Sequence, residues 1–282
     1  MLITLKELLF EAEKKEIAYG SFNVGNFESA LAIIEAGEAL NMPVILSPGP
    51  GLESFIKLED SMAICHFLAK NAKVDVCIHL DHCRDLDFMK KALDLGATSV
   101  MFDGSHEDFA LNIELTKQVV AMAKNYGASI EAELGKVATS TVGHPELEQA
   151  SNITELTDPD EAAKFVELTG IDALAVAIGT IHGVYTSEPD LNIPLIKTIK
   201  DRTGIPLVMH GGSGVGPTDI KNAIKNGIRK INYYTYANMA AGQAAKEYCE
   251  VNNPVFFHDL SALGVKVMKD DFKKTMELFA GR

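Results

Sequence analysis

Positive charge is scarce in this chain: 26 Lys and Arg stand against 39 Asp and Glu in 282 residues, a formal net charge of −13 at pH 7. The summed field repels nucleic acid and anionic lipid, so neither is expected as a partner, and a phosphorylated ligand needs local donors to overcome it. No window approaches the roughly 20 apolar residues of a membrane span, and Met1 to Phe10, with Lys6 among them, lack the apolar core of a signal peptide. A soluble, cytoplasmic protein is expected. Four cysteines, Cys65, Cys77, Cys83 and Cys249, include no Cys-x-x-Cys pair and read as reduced, mostly buried thiols. No proline-rich linker or charge block divides the chain, so we expect one domain over 1–282 with an added helical tail from about 255 to 282.

What the chain does have is a repeated junction. Gly96-Ala97, Gly127-Ala128, Gly170-Ile171, Gly204-Ile205 and Gly227-Ile228 each follow a helical-looking segment and precede an apolar run. Glycine after a helix accepts the left-handed conformation, and the apolar residue beyond it packs back on the last turn. The runs that follow are Ser99–Phe102, Ser129–Glu133, Ala173–Ile178, Pro206–Met209 and Arg229–Asn232; Ala18–Val24, Pro43–Leu46 and Val74–Leu80 complete about eight candidate strands. Helix starts keep the same register, as at Asp158-Pro159-Asp160-Glu161 and Gly216-Pro217-Thr218-Asp219. Strands alternating with helices predict parallel βαβ units, and eight of them in a chain with 47% hydrophobic residues favour an α/β fold closed as a (β/α)8 TIM barrel. Lys136 to Asn152, with little periodicity and with Gly143 and Pro145, reads as a mobile loop over the mouth.

In such a barrel the reactive groups lie at the carboxyl ends of the strands. Those ends carry Asn23 and Asn26, Ser47, Asp81 and His82, Asp103, Glu133, His182, His210, and Asn232. A lone histidine at a strand end is usually a hydrogen-bonded structural residue, which is how His66 and His258 read; His79 and His106 stay undecided. His82, His182 and His210 stand at three equivalent ends, and three neutral imidazoles with one open position suit a catalytic zinc. Adjacent strand residues point to opposite sides, so His82 could hold metal while Asp81 addresses substrate. Burial would raise the Asp81 pKa unless the metal or donors lowered it, making it a proton carrier; alternatively it only orients a histidine. Asp103 and Glu133 suit a second cation, with helix capping the alternative for Asp103, and Glu131 shares a strand face with Glu133. Gly183, Gly211-Gly212-Ser213-Gly214 and Asn232-Tyr233-Tyr234-Thr235 lie where barrels commonly cradle phosphate.

These motifs, from Phe22-Asn23-Val24 through Leu80-Asp81-His82, Glu131-Ala132-Glu133-Leu134-Gly135, Ala175–Thr180 and His210–Gly214 to Lys230-Ile231-Asn232, resemble the class II, zinc-dependent fructose/tagatose-bisphosphate aldolase family over nearly the whole chain. The resemblance implies reversible aldol cleavage of a ketose (bis)phosphate to dihydroxyacetone phosphate and an aldehyde. It implies that Asp81 is the proton donor, that His82, His182 and His210 hold Zn2+, and that Asp103 and Glu133 match a second divalent-ion position. Gly183, Gly211, Gly212, Ser213 and Asn232 to Thr235 would hold the ketone phosphate, with Asn23 and Ser47 beside the substrate. A monovalent cation near the phosphate and a homodimer or homotetramer are also implied. Two stretches depart from the family pattern: Lys136 to Glu146 replaces a paired-glycine, paired-acid loop, leaving Glu146 and Glu148 as candidate loop acids, and Tyr233-Tyr234-Thr235-Tyr236 stands where small or acidic residues are common. The aldehyde partner therefore stays open, and a longer or non-bisphosphorylated ketose phosphate is an alternative. Other readings are a Schiff-base aldolase using Lys230, a metal-dependent barrel epimerase or hydrolase, and a non-catalytic sugar-phosphate-binding protein.

Overall fold

A computed structural model describes residues 1–140 and 155–282 of the chain. Eight parallel strands close a barrel in the order β1 (Tyr19–Asn23), β10 (Ile228–Tyr233), β9 (Leu207–Met209), β7 (Ala173–Val176), β5 (Ser129–Leu134), β4 (Ser99–Phe102), β3 (Val76–Cys83) and β2 (Val44–Ser47). Two short strands, β6 (Ala138–Thr139) and β8 (Ile181–His182), form a separate parallel pair. Every apolar run expected to be a strand is one. The junction glycines behave as anticipated, with φ from 67° at Gly127 to 124° at Gly227, a region that costs a side chain with Cβ about 1–2 kcal/mol. Asp158 caps its helix by accepting from the Asp160 and Glu161 amides at 2.8 and 3.0 Å, with Pro159 at the first helical position.

Parallel strands covered by helices are buried on both faces, and apolar residues such as Val100, Phe102, Ile130, Ala132 and Leu174 fill the layer between strands and helices. The barrel interior also holds buried polar side chains, among them Ser21, His79, Ser99, Glu131 and Lys230. Most of the Lys136–Asn152 segment expected to cover the mouth, with Glu146 and Glu148, lies outside the described residues.

The C-terminal segment is more than an appendage. Helix Phe257–Phe279 buries Met268, Phe272, Thr275, Met276 and Phe279, the Phe272 ring lies 4.8 Å from that of Phe22, and Phe279 O accepts from the Ala18 amide at 3.0 Å. The tail therefore completes the core beneath β1. Phe272→Ala is expected to cost about 3–5 kcal/mol, the range for emptying a buried aromatic site, read as a lower denaturant midpoint at unchanged slope.

Candidate metal centre and catalytic site

Strand β3 runs three residues beyond the expected Leu80, carrying Asp81, His82 and Cys83. Its pairing with β4 shifts between Leu80 and Cys83, and His82 adopts φ of 45°. A bulge of this kind re-aims a side chain. The strict alternation expected of Asp81 and His82 is thereby broken, and both reach the mouth. His182 is carried by β8, and His210 directly follows β9. The imidazole centroids lie 4.4 Å (His82–His210), 4.8 Å (His82–His182) and 5.7 Å (His182–His210) apart. Each ring offers a nitrogen, and the three nitrogens fall within 4.8 Å of one another.

Hydrogen bonds fix which nitrogens carry lone pairs. His210 Nε2 lies 2.9 Å from Glu131 Oε1, which sets that nitrogen as the N–H and leaves Nδ1 as the acceptor, facing the Asn232 amide at 3.2 Å. His82 Nδ1 lies 3.3 Å from Asp103 Oδ2, so in the neutral ring the lone pair sits on Nε2. The Nε2 atoms of His82 and His182 are buried without a hydrogen-bond partner. Unpaired buried polar atoms are costly, and these two converge on the position a divalent ion would take. Carboxylates behind His82 and His210 supply the outer hydrogen bonds that orient metal-bound imidazoles.

His82, Asp103 and Glu133 form a second group with ligand atoms within 4.8 Å. Here Asp103 is already engaged: Oδ1 accepts from Ser105 Oγ at 2.6 Å, and Oδ2 lies 3.1 Å from Arg84 Nη2. Glu133 Oε2 has no hydrogen-bond partner, and burial followed by the Asp103 charge pushes its carboxyl up to about 8. His82 thus stands between two clusters and turns one nitrogen toward each.

Asp81 is buried, and both its oxygens are held: Oδ2 accepts from Asn23 Nδ2 at 2.9 Å and Oδ1 from Asn232 Nδ2 at 3.0 Å. Burial pushes its pKa up, but His82, His210 and Lys230 outweigh burial and hold the carboxyl below the usual range. Neighbouring positive charge therefore wins over desolvation here. Burial pulls His82 down, and Asp81, the Asp103 hydrogen bond and Glu133 overcome it, raising the imidazole to about 9. His182 and His210 are pushed down by burial and then by His82.

Gly183 and Gly211 have φ of 92° and 69°. A Cβ on Gly211 would meet Ile181 O at 2.3 Å, so only glycine lets this turn approach the segment that carries His182. The Gly212 amide donates to Asn232 O at 3.0 Å. Ser213 Oγ accepts from the Tyr234 amide at 3.0 Å, which leaves its own proton to donate. Thr235 opens helix Thr235–Val251. Tyr233 packs edge-on to Phe22 with centroids 6.4 Å apart, and Ser47 Oγ pairs with Ser21 Oγ at 2.6 Å inside the barrel. His79 is a core residue, its Nδ1 lying 2.8 Å from Ser99 Oγ, and His66 Nε2 lies 2.9 Å from Leu95 O. Tyr185 was not anticipated: its hydroxyl accepts from the Ile181 amide at 3.0 Å and donates to Gly211 O at 2.9 Å, tying the His182 and His210 segments together.

Three imidazoles converging beside a buried carboxylate at the mouth of a closed barrel define the class: a TIM barrel with groups that could hold a metal ion at its mouth. The chain matches the family model described as fructose-bisphosphate aldolase class-II over residues 3–282. It is 47% identical over 228 residues to a fructose-bisphosphate aldolase of Giardia intestinalis, covering 79% of this chain and 68% of that one. With a fructose-bisphosphate aldolase of Staphylococcus epidermidis it shares 38% identity over 260 residues, covering 90% and 88%. The X-ray crystal structure of the YdjI aldolase from Escherichia coli K12 superposes with a TM-score of 0.87 at 39% identity, covering 99% of this chain and 97% of that one. The chain belongs to the class II fructose-bisphosphate aldolase family and is an aldehyde-lyase.

Proposed function

We propose that the enzyme is a zinc-dependent aldolase that reversibly cleaves a ketose (bis)phosphate to dihydroxyacetone phosphate and an aldehyde. The observation that carries this reading is the pair of buried, unpartnered Nε2 atoms on His82 and His182, close to the His210 ring. These three residues hold the zinc, and Asp103 and Glu133 border a position for a second divalent ion. When bound, zinc supplies Lewis-acid stabilisation of charge developing on the ketone oxygens. Asp81, fixed by Asn23 and Asn232, takes the hydroxyl proton during cleavage and returns it to the aldehyde oxygen during condensation. Gly183, Gly211, Ser213 and Asn232 to Thr235 line the phosphate end, where a monovalent cation is also proposed. We assign the enzyme to the cytoplasm as a homodimer or homotetramer.

The aldehyde half is less constrained. The Tyr234 hydroxyl, which accepts from Asn238 Nδ2 at 2.6 Å, would stand 2.9 Å from a Cβ on Gly25. The alternative substrate is a longer or singly phosphorylated ketose. The test is a coupled assay for triose phosphate released by zinc-loaded enzyme from a panel of phosphorylated ketoses that includes both C4 epimers and longer chains. Release from at least one member is expected. Turnover without triose phosphate would point to an epimerase, and no turnover across the panel would sink the aldolase reading for this chain.

A further inference from the structure

The structure assigns to Lys230 a positioning role, resting on the aldolase reading above: one buried ammonium that sets both a zinc-ligating histidine and the proton carrier. Lys230 is fully buried, among the polar side chains of the barrel interior. Its Nζ lies 2.9 Å from Glu131 Oε2, 3.2 Å from Glu131 Oε1 and 2.8 Å from Asn232 Oδ1. All three contacts are acceptors, and an ammonium has three protons and no lone pair. The amine has nothing left with which to attack a ketone, so these contacts oppose the Schiff-base alternative.

Two chains of hydrogen bonds leave this nitrogen. Along the first, Glu131 turns Oε1 to His210 Nε2 at 2.9 Å, so that the lone pair of the His210 ring falls on Nδ1. Along the second, Lys230 occupies Asn232 Oδ1 and thereby decides which way that amide points. With its oxygen committed, Asn232 directs Nδ2 at Asp81 Oδ1, 3.0 Å away, and at His210 Nδ1, 3.2 Å away. An amide turned the other way would set its oxygen against the Asp81 carboxylate, oxygen against oxygen in a low-dielectric interior. The groups facing Lys230 are Asn232 on its own strand, β10, and Glu131 on β5 across the barrel interior, and His79 on β3 lies beyond Glu131, with Nε2 at 3.6 Å from Oε2. No other described group competes for the ammonium.

Lys230→Met keeps the length of the side chain and removes the charge and the donors. Zinc affinity, measured by competition with a chromogenic chelator, is expected to fall about 10–100-fold, the usual effect of losing an outer hydrogen-bonding partner of a metal ligand. At saturating zinc, kcat for retro-aldol cleavage is expected to fall by roughly 10-fold or more with KM changed less than about threefold, because the lost interaction positions Asp81 rather than substrate. A role in packing alone would lower the unfolding midpoint and leave both readouts in place. Should Lys230→Met not fold, Lys230→Gln, which retains N–H donors without charge, carries the same two measurements. A folded variant with either zinc affinity or zinc-saturated kcat within twofold of the parent overturns the inference. Absence of retro-aldol activity in the parent protein would defeat the functional reading instead, while the zinc measurement still reads the Glu131 arm.

Discussion

Asp81→Asn is expected to lower kcat for retro-aldol cleavage by about 10²–10⁴-fold, the usual contribution of a positioned proton carrier, with zinc content and KM close to the parent. The substitution is nearly isosteric, so the question is whether the surrounding donors tolerate it. Asp81 accepts from two amide NH2 groups, and an asparagine offers only one oxygen. Asn232 cannot turn, because Lys230 holds its oxygen; Asn23 is only partly buried and holds Ser47 O through a longer 3.3 Å bond, so it can. The new amide therefore directs its oxygen at Asn232 and its NH2 at a flipped Asn23, preserving the site while removing the base. Kinetics and metal analysis on one preparation check this. If Asp81 only orients a histidine, zinc affinity falls while kcat at saturating zinc recovers, and the assignment as proton carrier is lost.

Much of the scaffold was legible because it is written locally. A strand buried on both faces appears as a short apolar run, and a helix-to-strand handover appears as a glycine followed by an apolar residue. Both signals located the eight barrel strands without tertiary information. The tail was legible in part: Phe272, Met276 and Phe279 fall at helical spacing, yet nothing in that spacing says that Phe272 meets Phe22 on the outer face of β1. Helix spacing identifies a face, whereas the partner of that face is set by topology.

The site was legible as a set of residue types and less so as a geometry. Asp81 and His82 were separable only on the assumption that β3 alternates through both, and the left-handed turn at His82 removes that assumption. A bulge depends on how two strands are registered, which no single segment encodes. The same holds for Tyr185, whose hydroxyl accepts from the Ile181 amide and donates to Gly211 O, 26 residues further on from Tyr185 itself. Glu131 was noted for sharing a face with Glu133, but its bond to His210 crosses the barrel interior. Asn23 was expected beside the substrate, but nothing in the sequence pairs its amide with Asp81, 58 residues away. Residues that touch the ligand leave a chemical signature in sequence; residues that aim them leave none until the strands are in register.

Removing the metal is expected to have an effect at least as large as the loss of Asp81. Treatment with a strong chelator should lower retro-aldol activity by more than about 10³-fold, because the loss of Lewis-acid stabilisation forfeits several kcal/mol in the transition state, and added zinc should restore it. Stability should follow: an ion bound at a thousand times its dissociation constant stabilises the folded state by about 4 kcal/mol, so the unfolding midpoint should rise on zinc addition. His182→Ala separates this from a general ionic effect. Its Nε2 is buried without a partner, and the His182 side chain is absent from the Asp81, Asp103 and Glu131 hydrogen bonds, so its loss should weaken zinc binding while sparing those contacts. In this variant micromolar zinc should restore neither activity nor the midpoint. Chelator-resistant activity, or inactivation by borohydride and substrate through Lys230, would mean that the three imidazoles gather at the mouth for some purpose other than holding the catalytic ion.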